Sequence, residues 1–308
     1  MSHLSNPLAT AQQLYDRSST RVPAELQASI LFAAARLTQA AGILLRLPQD
    51  VAAQAIVLLQ RFLLVADLMA SEFSDVSAAS IYLAAKISAS PRSLRSTTNV
   101  YAYLLSPQSA LDPSAVPGGR PEPTSYYLSE SSYVNFRNRL LNIEGQILNA
   151  LGFNMHVALP HSLAITYLQT LDVFGASYPR GTGEKVGKRA VQYLNTALLG
   201  PQMLYLTHQP SALATAAIYL AARDADVKLP DLEWWEVFDT DREELGFLAL
   251  GMKSLEGWVQ AEKETWSTLA MITRSDVRAE LKKRGDGVAE SAQDEEDEMM
   301  RMLDEKVG

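Results

Sequence analysis

The sequence contains no cysteine, which excludes disulfide bonds, thiolate metal sites and cysteine nucleophiles together. None of its four histidines forms a His-x-x-x-His pair, so we expect no zinc site. Familiar catalytic signatures are missing as well: there is no Gly-x-Ser-x-Gly elbow, no His-Glu-x-x-His and no Walker loop. We therefore predict a protein without catalytic residues, metal or cofactor.

An excess of basic residues and long apolar runs are also absent. The formal net charge is -8, which disfavours direct binding of nucleic acid, because such proteins usually carry a basic face. The most apolar stretch, 51–69, is interrupted by Gln60, Arg61 and Asp67. A span of the bilayer needs about 20 predominantly apolar residues, so we expect no membrane segment.

The apolar residues that are present follow a helical period. Hydrophobic residues make up 47% of the 308 residues, enough for one large domain or two of moderate size. A typical stripe runs through Val51, Ala55, Leu58 and Phe62, and no sustained two-residue alternation occurs. Prolines fall between these stripes and mark their ends. The pattern predicts an all-α protein.

The stripes predict ten helices in two sets of five. The first set covers 26–42, 49–66, 75–89, 93–105 and 131–151, and the second covers 161–173, 184–199, 211–223, 231–238 and 241–266. Five prolines and two glycines in 106–126 predict a long surface loop. An N-terminal arm (1–22) precedes the helices. An acidic tail (267–308) follows them; it has no apolar stripe, carries the acidic run 294–298, and is expected to be mobile and dispensable for partner binding.

One internal repeat supports the division into two sets. Ser80-Ile-Tyr-Leu-Ala-Ala-Lys86 recurs as Ala217-Ile-Tyr-Leu-Ala-Ala-Arg223. Both copies fall in the third predicted helix of their set. Small residues on such a helix allow close packing by its neighbours, so we predict that it is the central helix of each set.

Several segments, in this order along the chain, resemble those of cyclins, and the first resembles L-type cyclins in particular. They are Gln39-Ala-Ala-Gly-Ile-Leu-Leu-Arg-Leu-Pro-Gln49, Gln60-Arg-Phe62, Ala84-Ala-Lys-Ile-Ser-Ala-Ser-Pro-Arg92, Glu144 to Phe153 with His156 to His161, and Ala217 to Arg223. The resemblance implies two tandem cyclin-box folds of five helices each, a first box at 23–158 and a second at 159–266.

The resemblance also implies a function. A cyclin is a non-enzymatic regulatory subunit that binds and activates a cyclin-dependent protein kinase, by biasing the mobile kinase helix whose glutamate pairs with the ATP-binding lysine. We therefore expect a nuclear protein in a heterodimer with its kinase, acting in transcription and pre-mRNA processing. Two alternatives are another transcriptional cyclin, of the K, T, C or H kind, and a cyclin-fold transcription factor of the TFIIB type. The zinc ribbon expected of the latter is excluded by the lack of cysteine.

Two charged residues match the pair by which cyclins hold the kinase. They are Lys86 and Glu144, and ordinary solvated charges at a helix surface are the alternative reading for both. Three apolar residues, Phe62, Leu83 and Ile147, are candidates either for kinase contact or for the core.

The sequence departs from the family pattern in two places. Ser88-Ala89 stands where cyclins usually carry two glutamates, so two acids are missing beside the expected kinase contact. The stretch Ile30 to Ala34 aligns with the substrate-docking segment of cell-cycle cyclins but has no arginine. Substrate docking by that route is therefore not expected.

Overall fold

A computed structural model describes residues 4–18, 22–107, 109, 111, 127–175, 178–230, 232–266 and 271–284. All regular structure within these ranges is helical, which confirms the predicted all-α class. The helices are α1 (Ala11–Ser18), α2 (Ala24–Leu44), α3 (Gln49–Val65), α4 (Phe73–Ile87), α5 (Leu94–Leu104), α6 (Glu130–Ala150), α7 (Pro160–Thr170), α8 (Thr182–Leu199), α9 (Leu204–Thr207), α10 (Pro210–Asp224), α11 (Arg242–Thr265) and α12 (Arg274–Arg284). None of these is both long and apolar enough to cross a membrane.

The first bundle comprises α2 to α6. Helix α4 packs against the other four helices, and most of its residues are buried, including the alanines and serines of the repeat. Prolines 23 and 48 precede α2 and α3, while Ser93 and Ser129 cap α5 and α6 by accepting backbone N–H bonds. For nine of the ten predicted helices, both predicted ends lie within three residues of the observed ends. The reason is that the prolines and capping serines that mark these ends are visible in the sequence.

The second bundle comprises α7, α8, α10 and α11, with α10 in contact with the other three. The helix predicted over 231–238 was wrong: in the described part of that range, the regular structure is one 3-10 turn, Glu236–Phe238. Trp234 is buried and edge-on to Trp235 at a centroid distance of 6.0 Å. Phe238 of the turn stacks on Tyr167 of α7 at a centroid distance of 3.9 Å, so an aromatic contact holds this segment on the bundle without an α-helical turn.

The two bundles meet through polar contacts between α3, α7 and α8. Asn195 Oδ1 on α8 accepts hydrogen bonds from Gln49 Nε2 at 3.1 Å and from His161 Nε2 at 3.0 Å. Gln60 Nε2 donates to the carbonyl of Leu198 at 2.9 Å. Three of these residues, Gln49, Gln60 and His161, lie in the segments that carried the resemblance, so those segments build the joint between the bundles.

The half-buried position of His161 predicts a pH-dependent stability. Burial lowers the pKa of this imidazole, and its Nδ1 has no hydrogen-bond partner in the part of the chain that the structure describes. The folded protein therefore binds the proton less readily than the unfolded chain, whose histidine titrates near ~6.5. The resulting stabilisation is complete above that pH and is lost as the pH falls towards the folded-state pKa.

We expect denaturant unfolding at pH 7, 6 and 5 to show a falling free energy of unfolding, with a smaller fall in His161→Gln. His156→Gln, at an exposed position, is the control for replacing a histidine, and a fall in His161→Gln as large as in wild type would contradict the assignment.

The segment 271–284 departs from the predicted mobile tail. It forms α12, whose Val277 and Leu281 are almost fully buried, and Arg274 Nε lies 3.2 Å from Glu72 Oε1 before α4. Only two apolar residues of α12 face the bundle, so the sequence shows no recognisable stripe. The acidic run 294–298 and most of the predicted loop 106–126 lie outside the described residues.

The N-terminal arm ties both bundles together. Asn6 Nδ2 donates to the carbonyl of Ala158, and Asn6 Oδ1 accepts from the N–H of the same residue, both at 2.8 Å. The side chain of Gln209 on the second bundle bonds both the N–H and the carbonyl of Asn6. Arg61 on α3 reaches the carbonyl of His156 at 2.8 Å. The arm and the linker between the bundles are thus fixed to one another.

Candidate functional site

The two charged residues singled out from the sequence are brought together. Lys86 in the last turn of α4 and Glu144 on α6 are 58 positions apart in the chain, yet Lys86 Nζ lies 2.9 Å from Glu144 Oε1. The lysine side chain is 55% exposed and the glutamate side chain only 7%. The hydrogen bond to Glu144 raises the pKa of Lys86. A partner approaching this point meets an accessible cation backed by a nearly buried carboxylate.

The three apolar candidates lie in the core. Phe62 is 5% exposed, Leu83 is 2% exposed and Ile147 is fully buried. Side chains so enclosed offer almost no area to a partner that docks on the folded surface. The structure therefore favours the alternative reading for these residues, in which they support the helices that carry the charged pair.

Exposed apolar side chains at the ends of α2 and α4 were not identified from the sequence. Ile43 and Leu44 in the last turn of α2 are 66% and 44% exposed, and Ile87 at the end of α4 is 50% exposed. We call Ile43, Leu44, Lys86, Ile87 and Glu144 the docking face. Its apolar residues lie in or next to predicted helices. An apolar stripe alone does not distinguish an exposed residue at a helix end from a core residue.

Arg92 holds the ends of α2 and α4 beside each other. Its Nε donates to the carbonyl of Leu45 at 2.8 Å and its Nη2 to that of Arg46 at 2.9 Å, just past the end of α2. Its Nη1 donates to the carbonyls of Ser90 and Pro91 in the loop that follows α4. The planar fork of one guanidinium therefore satisfies carbonyls from two segments at once.

Replacing this fork should cost stability. Arg92→Lys retains the charge but cannot span carbonyls on both segments, so we expect the free energy of unfolding to fall by ~1–3 kcal/mol. The matched control is Arg95→Lys, whose arginine is 60% exposed and pairs with the exposed Glu130; it should change stability by less than ~1 kcal/mol. Chemical denaturation of both variants is the measurement. Equal losses would show that the carbonyl contacts of Arg92 contribute nothing special.

A second ion pair joins the same two helices. Arg139 Nε on α6 lies 3.1 Å from Asp75 Oδ2 in the first turn of α4, with side chains 44% and 7% exposed. Its geometry matches that of Lys86 and Glu144, but it is placed at the other end of α4, ~17 Å away along the helix. It serves as a reference for what such a pair contributes to the fold alone.

Comparison with known proteins identifies the family. No family profile matches the chain. Among curated proteins, Cyclin-L1 of Gallus gallus is 32% identical over 220 residues, 71% of this chain and 38% of its own length. Cyclin-L1 of Homo sapiens is 33% identical over 225 residues, 73% of this chain and 39% of its own. The chain belongs to the cyclin family.

The cyclin spans about two fifths of the length of these relatives. Human Cyclin-L2 is similar to it at 32% identity over 71% of this chain. Among solved structures, a chain of the yeast RNA polymerase II CTD kinase complex CTDK-1 shares the fold, with a TM-score of 0.61, 16% identity, and coverage of 94% of this cyclin and 87% of that chain. The predicted family and its L-type character are thereby confirmed.

Proposed function

We propose that this cyclin binds a cyclin-dependent protein kinase through the docking face and switches it on. The observation that carries the proposal is the pairing of Lys86 with Glu144, together with three exposed apolar side chains at the ends of α2 and α4. Once a partner covers them, charged groups next to apolar contact area form the kind of centre that dominates the energy of a protein interface. Family membership supplies the partner class.

The docking face suits a helix on the kinase. Ile43, Leu44 and Ile87 provide apolar contact area, while Lys86 and Glu144 can bond polar groups of the partner. Binding energy from such contacts can hold a mobile kinase helix in its active position, because a ligand shifts a two-state equilibrium by its differential affinity for the two states. In this proposal the cyclin supplies no catalytic group and acts as the regulatory member of a heterodimer.

We further propose a nuclear role in transcription and pre-mRNA processing, in line with L-type relatives. The test of the whole proposal is affinity purification of the full chain from its native cell, identification of the co-purifying kinase, and a phosphorylation assay of that kinase with and without the cyclin. Recovery of a cyclin-dependent kinase whose activity rises at least tenfold on adding the cyclin is the expected result. Absence of any kinase, or a kinase whose rate is unaffected, contradicts the proposal.

A further inference from the structure

The loop between α4 and α5 carries three serines next to the docking face. It reads Ser88-Ala-Ser-Pro-Arg-Ser93 and begins directly after Ile87. Connecting loops on the surface are the usual places for regulatory modification, because their backbone can enter the active site of a modifying enzyme. Which of these hydroxyls is available follows from their hydrogen bonds.

Two of the three serines use their hydroxyls in the fold. Ser88 Oγ donates to the carbonyl of Ala85 at 2.9 Å and accepts from the N–H of Ser90 at 3.0 Å. Ser93 Oγ accepts from the N–H of Ser96 and so caps α5. Removing either hydroxyl from these bonds would loosen a helix end.

The third serine has a free hydroxyl. Ser90 Oγ forms no hydrogen bond within the ranges that the structure covers, and the residue is half-buried between the exposed Ala89 and Pro91. Ser90 directly precedes a proline, and Arg92 follows two positions on. Serine followed by proline in an accessible loop is the acceptor pattern of proline-directed protein kinases.

We propose that Ser90 is a phosphorylation site for a proline-directed serine/threonine kinase using ATP. In this step Ser90 Oγ forms a bond to the γ-phosphorus of ATP, the bond from that phosphorus to the β–γ bridging oxygen breaks, and ADP leaves. The hydroxyl proton passes to the base of the kinase. The product is a phosphoserine carrying a charge of about −1.5 to −2 at neutral pH.

The phosphate would lie close to Arg92, and an interaction with it would weaken the hydrogen bonds that Arg92 now makes. The Nη1 of Arg92 already lies 3.3 Å from the Ser90 carbonyl, while its Nη2 bonds the carbonyl of Arg46. A phosphate is a stronger acceptor than a carbonyl, so it competes for Arg92 with the carbonyls at the end of α2. Modification therefore couples the charge of the loop to the end of α2 that carries Ile43 and Leu44.

The chain offers an internal comparison. Its sequence holds two Ser-Pro pairs and no Thr-Pro pair. In the second pair, Ser106-Pro107, the Ser106 hydroxyl donates to the carbonyl of Tyr103 at 2.7 Å after the end of α5. The same sequence pattern thus occurs once with a free hydroxyl and once with a bonded one.

The test uses the full chain, ATP and a purified proline-directed serine/threonine kinase, with the modified residue assigned by mass spectrometry of proteolytic peptides. We expect the initial rate at Ser90 to exceed that at Ser106 by about fivefold or more, since the Ser106 hydroxyl must first break its bond. Ser90→Ala should remove phosphate from this loop, Pro91→Ala should reduce it at least tenfold, and Ser106→Ala should leave it unchanged. A synthetic peptide covering 84–97 is the reference for the unfolded sequence.

Three results would overturn the assignment. Failure of the peptide to be phosphorylated would show that the sequence is no substrate, and modification of the peptide but not of the chain would show that the fold shields Ser90. Phosphorylation that persists in Pro91→Ala would show that the proline is not what is read. The effect of the phosphate on kinase docking rests on the proposed function, whereas this experiment reads the modification alone.

Discussion

Exchanging the charged pair, in the double variant Lys86→Glu/Glu144→Lys, is expected to weaken binding of the cognate kinase by about 30-fold to several-thousandfold. The exchange keeps opposite charges at the two positions, which lie 2.9 Å apart, but reverses the charges that meet the kinase. Disrupting a desolvated interfacial charge contact costs ~2–5 kcal/mol, and each 1.4 kcal/mol is about tenfold in affinity. A titration of the kinase, with a thermal melt of each cyclin, measures both quantities.

A matched pair of single variants separates docking from folding. Lys86→Met and Arg139→Met each remove the half-exposed cation from an ion pair between α4 and α6. We expect losses of stability of similar size from both, because each substitution removes the cation beside a carboxylate whose side chain is only 7% exposed. Only Lys86→Met should lower kinase affinity. If the two variants bind the kinase equally well, or the double exchange binds like wild type, Lys86 and Glu144 are an internal ion pair and the docking face is wrongly placed.

Removing the buried arginine of α12 is expected to lower the free energy of unfolding by ~3–5 kcal/mol. Arg274 and Glu72 have side chains only 7% and 8% exposed, and Arg274 Nη1 also donates to the carbonyl of Met69 at 3.1 Å. Arg274→Met leaves the Glu72 carboxylate buried without this partner, which is the costly way to break an ion pair. Denaturant unfolding measures the loss.

Two further variants test the reason for that loss. Replacing both partners, as Glu72→Leu/Arg274→Met, should recover most of the stability, because apolar replacement of a whole buried pair is often near neutral. Lys282→Met, at an exposed position of the same helix, should stay within ~0.5 kcal/mol of wild type. If Arg274→Met unfolds like Lys282→Met, α12 is not held on the first bundle in solution.

The helices could be predicted because their ends carry local signals. Pro23 and Pro48 precede α2 and α3, and Ser93 and Ser129 cap α5 and α6, so each end depends on residues next to it in the sequence. Helix α12, in contrast, cannot be predicted from residues next to it in the sequence. Its two buried apolar residues pack on a surface formed far away in the sequence, and no pattern within 274–284 reveals that surface.

The candidate site also contains residues that could be predicted from the sequence and residues that could not. Lys86 and Glu144 could be placed through the resemblance, since both fall within recognisable segments. Arg92 belonged to one of those segments too, but its role could not be predicted, because its partners are backbone carbonyls that every residue possesses. Exposure of Ile43 and Ile87 depends on how the two helix ends meet. Tertiary packing determines this exposure, and it cannot be predicted from helical periodicity alone.

The position of α12 has a consequence for synthesis of the protein on the ribosome. Arg274 leaves the ribosome 202 residues after its partner Glu72. At ~5–20 residues per second, about 10–40 s separate the two. Until Arg274 emerges, α12 cannot cover the first bundle, so Glu72 lacks this partner and the surface that later receives Val277 and Leu281 stays uncovered. A chaperone or partner that binds during translation therefore meets an acidic and apolar surface that the finished protein no longer displays.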